Sequence, residues 1–340
     1  METSNKKVAA AKVGEGPWPL GQAGSAVDLR RYLKHSPKFF LLGSLVLVFI
    51  VMTFLNPRFL SIENIINISR HMAINLIIAV GMTFSLISGG MDLSVGSVGI
   101  MAGCITGLIL HKTESTLLAI AGGLGAGTLF GCLNGLVISK LRVNPFVTTL
   151  ATMIIARGIA LIITGGDIIG DFPDAFNYIG VGFIMRIPIP VIMMIAVAVW
   201  GHIVLTRTEF GLNVYAIGSN PKASRLAGLK NDRVLFKIYA ICGFLAALGG
   251  IVLTARVVSA QPNLMTTTNL DVIAAVVVGG TSLMGGSGSI VGTILGSTML
   301  AALFNGLNLV GVGYEWQLIV VGIILVTAVS LDMLSRKQDI

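Results

Sequence analysis

The sequence predicts an all-α polytopic membrane protein with about ten transmembrane helices, and three observations predict it. Of 340 residues, 54% are hydrophobic and only 11% charged, against about a quarter charged in soluble domains, and the mean hydropathy is +0.90. The apolar residues fall in runs close to the roughly 20 residues a helix needs to cross hydrocarbon. Lys and Arg gather in alternate connections between those runs.

In chain order the spans read 39–55, 65–88, 93–110, 117–138, 146–164, 188–206, 238–256, 270–284, 289–310 and 315–331, each bounded by polar residues or by Gly or Pro. Gly89-Gly90 and Gly285-Gly286 interrupt apolar sequence, so each pair marks either a long kinked helix or a broken, re-entrant one. The ends of the chain are a tail of residues 1–38, with a Gly/Pro-rich part from Gly14 to Gly24 that reads as disordered, and a short tail of residues 332–340. The first apolar run starts only at Phe39, which argues against a cleaved signal peptide.

The cations fix an expected orientation, because cytoplasmic loops hold the Lys/Arg excess. With both termini cytoplasmic, seven lie before Phe39, two are Lys140 and Arg142, six lie in 207–237, and two are Arg336 and Lys337, or 17 of the 23. The opposite side holds Arg58, Arg70, Lys112, Arg186 and Arg256, and Arg157 lies within a span. Asp167, Asp171 and Asp174 fall in the outer connection 165–187. The net charge of +8 is therefore topological rather than a nucleic-acid-binding face.

The 42 glycines cluster in spans, notably between Gly122 and Gly135 and between Gly279 and Gly296. Small residues let helix backbones approach closely in lipid, or leave unwound backbone to line a cavity. GGMDLSVGSVGI at 89–100 and GGTSLMGGSGSI at 279–290 match at six of twelve positions, four of them Gly or Ser, a faint internal repeat.

Asp92 stands between two apolar runs, where an unpaired charge would cost several kcal/mol facing lipid. Asp92 or Ser94 caps the following helix, or the break shapes a translocation pathway. Arg157 either pairs with Asp92 or another acid, or snorkels to an interface. Asn75, Asn134, Asn305 and Asn308 act as interhelical hydrogen-bond partners or, with Asp92 and Ser94, line a polar path. Cys104, Cys132 and Cys242 sit in apolar runs without metal-ligand spacing, and no metal site is expected.

The polar interruption at 207–237 carries six cations against two acids. Asn220 followed by Pro221 is a cap and first-turn signal, and Gly228 a stop, so a helix of about two turns is expected from Pro221. It presents Ala223, Leu226 and Ala227 on one side, with Lys222 and Arg225 elsewhere. Adsorption to anionic lipid and docking of a cytoplasmic partner both fit such a helix. No GxxxxGK[ST] loop occurs, so ATP is not bound in that manner by this chain. No HExxH motif occurs either, and an enzyme is not expected.

Three segments, GGMDLSVGS (89–97), YAIGSNPKASRLAGL (215–229) and VVVGGTSLMGGSGSIVGT (276–293), resemble in the same order the permease subunit of ribose-type ABC importers, a family related to the branched-chain amino acid permeases. The resemblance spans about residues 60 to 330. Met91 stands where that family usually has Ile, a change an apolar slot tolerates.

The resemblance implies a homodimeric permease of the bacterial cytoplasmic (inner) membrane. It implies an extracytoplasmic sugar-binding protein and a separate ATPase, often of tandem-domain form, that binds ATP and Mg; this chain itself would hold no cofactor and no nucleic acid. Tyr215, Gly218, Asn220, Pro221, Ala223, Arg225, Leu226 and Gly228 match its ATPase-coupling region. The alternative is an ion-coupled secondary transporter of a small polar solute, in which Asp92 and Arg157 would serve as ionisable path residues.

Overall fold

The computed structural model describes residues 37–337. Of the two tails, 1–38 lies almost wholly outside the described residues, whereas 332–340 is described as far as Lys337, where it continues the last helix. Thirteen α-helices follow one another among the described residues: α1 (Pro37–Leu55), α2 (Ile62–Ile87), α3 (Val95–Thr113), α4 (Thr116–Lys140), α5 (Pro145–Thr164), α6 (Asp174–Val181), α7 (Ile189–Arg207), α8 (Glu209–Ser219), α9 (Pro221–Leu226), α10 (Asn231–Val257), α11 (Thr268–Val278), α12 (Ile290–Val310) and α13 (Tyr314–Lys337). A two-stranded hairpin, β1 (Phe183–Ile184) with β2 (Ile187–Pro188), precedes α7. The chain is an all-α polytopic membrane protein.

Local chemistry sets the ends of these helices. Ser61 accepts from the Asn64 amide to start α2, Ser115 from Leu118 to start α4, Asn144 from Phe146 just ahead of Pro145, and Ser289 from Gly292 to start α12. Each satisfies an amide that the first turn leaves orphaned. At the other ends, Gly165 and Gly311 take left-handed φ of 66° and 84°, the conformation that closes a helix at least cost in glycine.

Among the described residues, seven helices are long and apolar enough to cross a membrane: α2, α3, α4, α5, α7, α10 and α12. Leu41–Leu55 of α1, Thr268–Val278 and Tyr314–Thr327 of α13 are shorter apolar helices. The segment expected to span 270–284 is helical only through Val278, and 11 residues rise about 16 Å, half the hydrocarbon thickness. Gly280, at φ 85°, turns the chain out of the helix.

α2 and α10 form the centre, 83% and 72% buried over their apolar windows, whereas α4 and α5 are 22% buried. α10 packs on α2, α3 and α4. The outer helices keep apolar residues exposed, among them Ile154 and Ile162 on α5 and Ile195 and Val199 on α7, a surface suited to lipid and not to water. α2 and α3, joined through Gly89-Gly90, both pack on α10, while α11 and α12, joined through the 279–289 segment, fold against each other. The two related sequences thus serve breaks of different geometry.

Candidate functional site

The three signature segments meet at one end of the bundle. α2 stops at Ile87, whose carbonyl accepts from the Gly286 amide at 2.8 Å. Gly89 turns away at φ 81°, and the facing loop runs through Gly285 and Gly286 at φ 86° and 79°. α8 closes over this contact. The Tyr215 hydroxyl donates to the Gly288 carbonyl at 2.8 Å, and burial raises the phenol above its ordinary pKa, so it remains a protonated donor. A Cβ on Gly218 would lie 1.7 Å from the Ile87 carbonyl oxygen and 2.6 Å from the Gly286 nitrogen, so α8 rests backbone to backbone on both broken segments.

α9 follows as a projecting turn. The Asn220 side chain accepts from the Lys222 and Ala223 amides at 3.1 and 2.9 Å, and Pro221 occupies the first turn. Asn231 anchors the turn from behind, donating to the Pro221 carbonyl and the Ser224 hydroxyl at 3.0 and 2.9 Å. Ser224 is buried, while Pro221, Ala223, Arg225 and Gly228 are exposed and Leu226 is 90% exposed. Arg225 stands 3.6 Å from Asp232, an exposed pair of little energetic weight.

Of the six polar residues that could line a pathway, three form a buried node near this junction. Asp92 Oδ1 accepts from the Ser94 amide at 2.9 Å and from its hydroxyl at 2.5 Å. Asn134 donates to Ser94 Oγ at 3.1 Å and accepts from Thr152 at 2.5 Å. Ser94 is the residue preceding α3, but neither it nor Asp92 caps the helix through a side chain. Pairing of Asp92 with Arg157 is not found: Arg157 is exposed on α5, and among the described residues the ion pair present is Arg225 with Asp232. Asp92 is instead satisfied locally, and Arg157 is free to snorkel.

Asn75 and Asn305 lie elsewhere, in a cavity of about 620 Å³ at the opposite end of α2. The N-terminal half of α2, the end of α10, the start of α11, the end of α12 and the start of α13 enclose it. Arg256, Asp271, Asn308 and Gln317 join them in its walls. From Asn75 to Ile87 along α2 is about 18 Å at the helical rise, so one rigid, buried helix runs from the cavity to the junction. α11 and α12 likewise begin or end at both places.

α8 is a helix that the span pattern does not predict, although Thr208, which accepts from the Gly211 amide at 3.2 Å, followed by Glu209 in the first turn, is a start signal of the usual kind. Asn64, Asp271 and Gln317 also carried no local mark.

A family model described as branched-chain amino acid transport system / permease component matches residues 64–329. The chain belongs to this permease family. The permease is 45% identical to the ribose import permease protein RbsC of Bacillus subtilis over 88% of its own length and 92% of the relative's. It is 40% identical to the RbsC of Escherichia coli K12 over 88% and 93%, and 36% identical to the L-arabinose transport system permease protein AraH of that strain over 85% and 88%. No solved structure gives a significant match to the permease. The permease is thus a multi-pass membrane transport component, with its three signature segments joined at one end and a polar cavity at the other.

Proposed function

We propose that this permease is the membrane-spanning subunit of an ATP-driven importer that moves a ribose-like monosaccharide from an extracytoplasmic binding protein into the cytoplasm. The observation that carries this reading is the 45% identity, over nearly nine-tenths of the chain, to a ribose import permease. The ATPase, commonly a tandem-domain chain, binds ATP and Mg, and the permease works as a homodimer in the bacterial inner membrane with about ten spans and both termini cytoplasmic. In that orientation the junction faces the ATPase and the cavity faces the binding protein.

The physical logic is a lever. Closure of the ATPases pushes α9, which is anchored by Asn231 and continuous with α8. α8 bears directly on Ile87 and on the 285–288 loop, so the push reaches α2, α11 and α12, three of the five helices that enclose the cavity. Rigid-body rocking of these helices then alternates access. In proteoliposomes holding the permease, its ATPase and its binding protein, labelled ribose is expected to accumulate only with ATP. Uptake by the permease alone under a proton or sodium gradient would overturn this reading in favour of an ion-coupled transporter.

Leu226 supplies a sharper probe of docking than the glycine beside it, because Gly228 at φ 85° rejects most replacements for reasons of backbone strain. Leu226→Asp is expected to weaken ATPase association about tenfold or more, as loss of an exposed apolar anchor does. Arg225→Glu should act in the same direction, and neither should change the thermal midpoint. Normal co-purification of both variants with the ATPase would remove α9 from the interface.

A further inference from the structure

The cavity is lined by carboxamides whose hydrogen-bonding sense is already fixed. Asn64 Nδ2 donates to the Phe59 carbonyl at 2.8 Å, which settles which end of that amide is nitrogen, since a carbonyl only accepts. The same Nδ2 donates to Asn305 Oδ1 at 2.7 Å. In parallel, Gln317 Nε2 donates to the Val312 carbonyl at 3.2 Å and to Asn308 Oδ1 at 2.7 Å. With their oxygens engaged, Asn305 and Asn308, one turn apart on α12, offer the cavity their NH2 groups.

Asp271 on α11 supplies the complement. Its Oδ2 accepts from the Thr267 hydroxyl at 3.4 Å, and the residue lines the cavity with Oδ1 as a further acceptor. A hydroxyl is both acceptor and donor, so neighbouring hydroxyls of one ligand can take the two amide donors and give to the carboxylate. The amides are neutral, so they reward such oxygens without requiring a charged ligand to be desolvated. The cavity volume lies within the range of small-molecule sites.

We propose that Asn305 and Asn308 donate their amide N–H groups to ligand hydroxyls in a monosaccharide transit site within the permease, and that this site favours ligands with vicinal hydroxyls. The inference rests on the sugar-import reading and adds a selecting site to it. Asn305→Asp and Asn308→Asp test it, because each keeps an oxygen to accept from Asn64 or Gln317 and exchanges the NH2 donor for a negatively charged oxygen that only accepts.

Saturation-transfer NMR of the purified permease in nanodiscs, with ribose as the probe, should show ribose contact in the parent protein. It should fall about five- to tenfold in each variant, the size expected for loss of one hydrogen bond, with thermal midpoints retained. Absence of ribose contact in the parent protein, unchanged contact in both variants, or displacement of ribose by leucine would overturn the site. Failure of the sugar-import reading is distinguished by a different measurement, the absence of ATP-driven ribose uptake by the complete parent transporter.

Discussion

Replacing Gly218 by alanine is expected to abolish uptake and to uncouple ATP hydrolysis from the loaded binding protein. The new Cβ would sit 1.7 Å from the Ile87 oxygen, where ordinary contact requires about 3.4 Å or more. Both neighbours are backbone, so no side chain can rotate aside, and α8 must lift as a body by more than about 1 Å. That overpacking costs on the order of 1–3 kcal/mol or more, and it loosens the Tyr215 hydrogen bond to Gly288 at the same time.

Gly228→Ala is the comparison. It has φ 85° with nothing within 4 Å of a Cβ, so it meets backbone strain of about 1–2 kcal/mol without touching the junction. Stimulated hydrolysis and uptake at parental levels in Gly218→Ala, with the protein correctly inserted, would show that force does not pass through this contact.

Cap chemistry was legible in the sequence because it is written within a few residues. Asn220-Pro221 and Gly228 predicted α9, and the structure places α9 over Pro221–Leu226. The glycine pairs flagged both breaks for the same reason. That the breaks meet was not legible, since the bond from the Gly286 amide to the Ile87 carbonyl joins residues almost 200 apart and leaves no local pattern.

Arg157 shows a second limit. A lone cation in an apolar run does not reveal which side of its helix turns inward, and the residue proves exposed. The 270–284 span was overread because apolar residues continue on both sides of Gly279-Gly280, and hydropathy does not register that Gly280 takes φ 85°. Likewise the carboxamide at 305 could be read as a polar residue of interest, but its partner Asn64 and its fixed donor sense emerge only from packing.

The glycines inside the helices divide in a way that composition conceals, and Gly250→Ala exposes the division. A Cβ there would lie 1.9 Å from the Gly99 carbonyl oxygen, at the crossing of α10 and α3. Nearby, Gly103 accommodates Thr254 and Gly131 accommodates the Gly243 backbone in the same manner. In lipid this close approach is what holds helices together, because the hydrophobic effect does not distinguish a neighbouring helix from an acyl chain.

Gly250→Ala is therefore expected to separate α10 from α3 and lower the thermal midpoint by roughly 5–10 °C, from an overpacking cost of a few kcal/mol. Gly125→Ala on α4, where nothing lies within 4 Å, meets no neighbour and removes a poor helix former, so its midpoint should be unchanged or slightly higher. Thermal unfolding of the two variants in one detergent compares the same chemical change at two positions. Equal midpoints would mean that the contact between Gly250 and Gly99 is not what sets the spacing of the central helices.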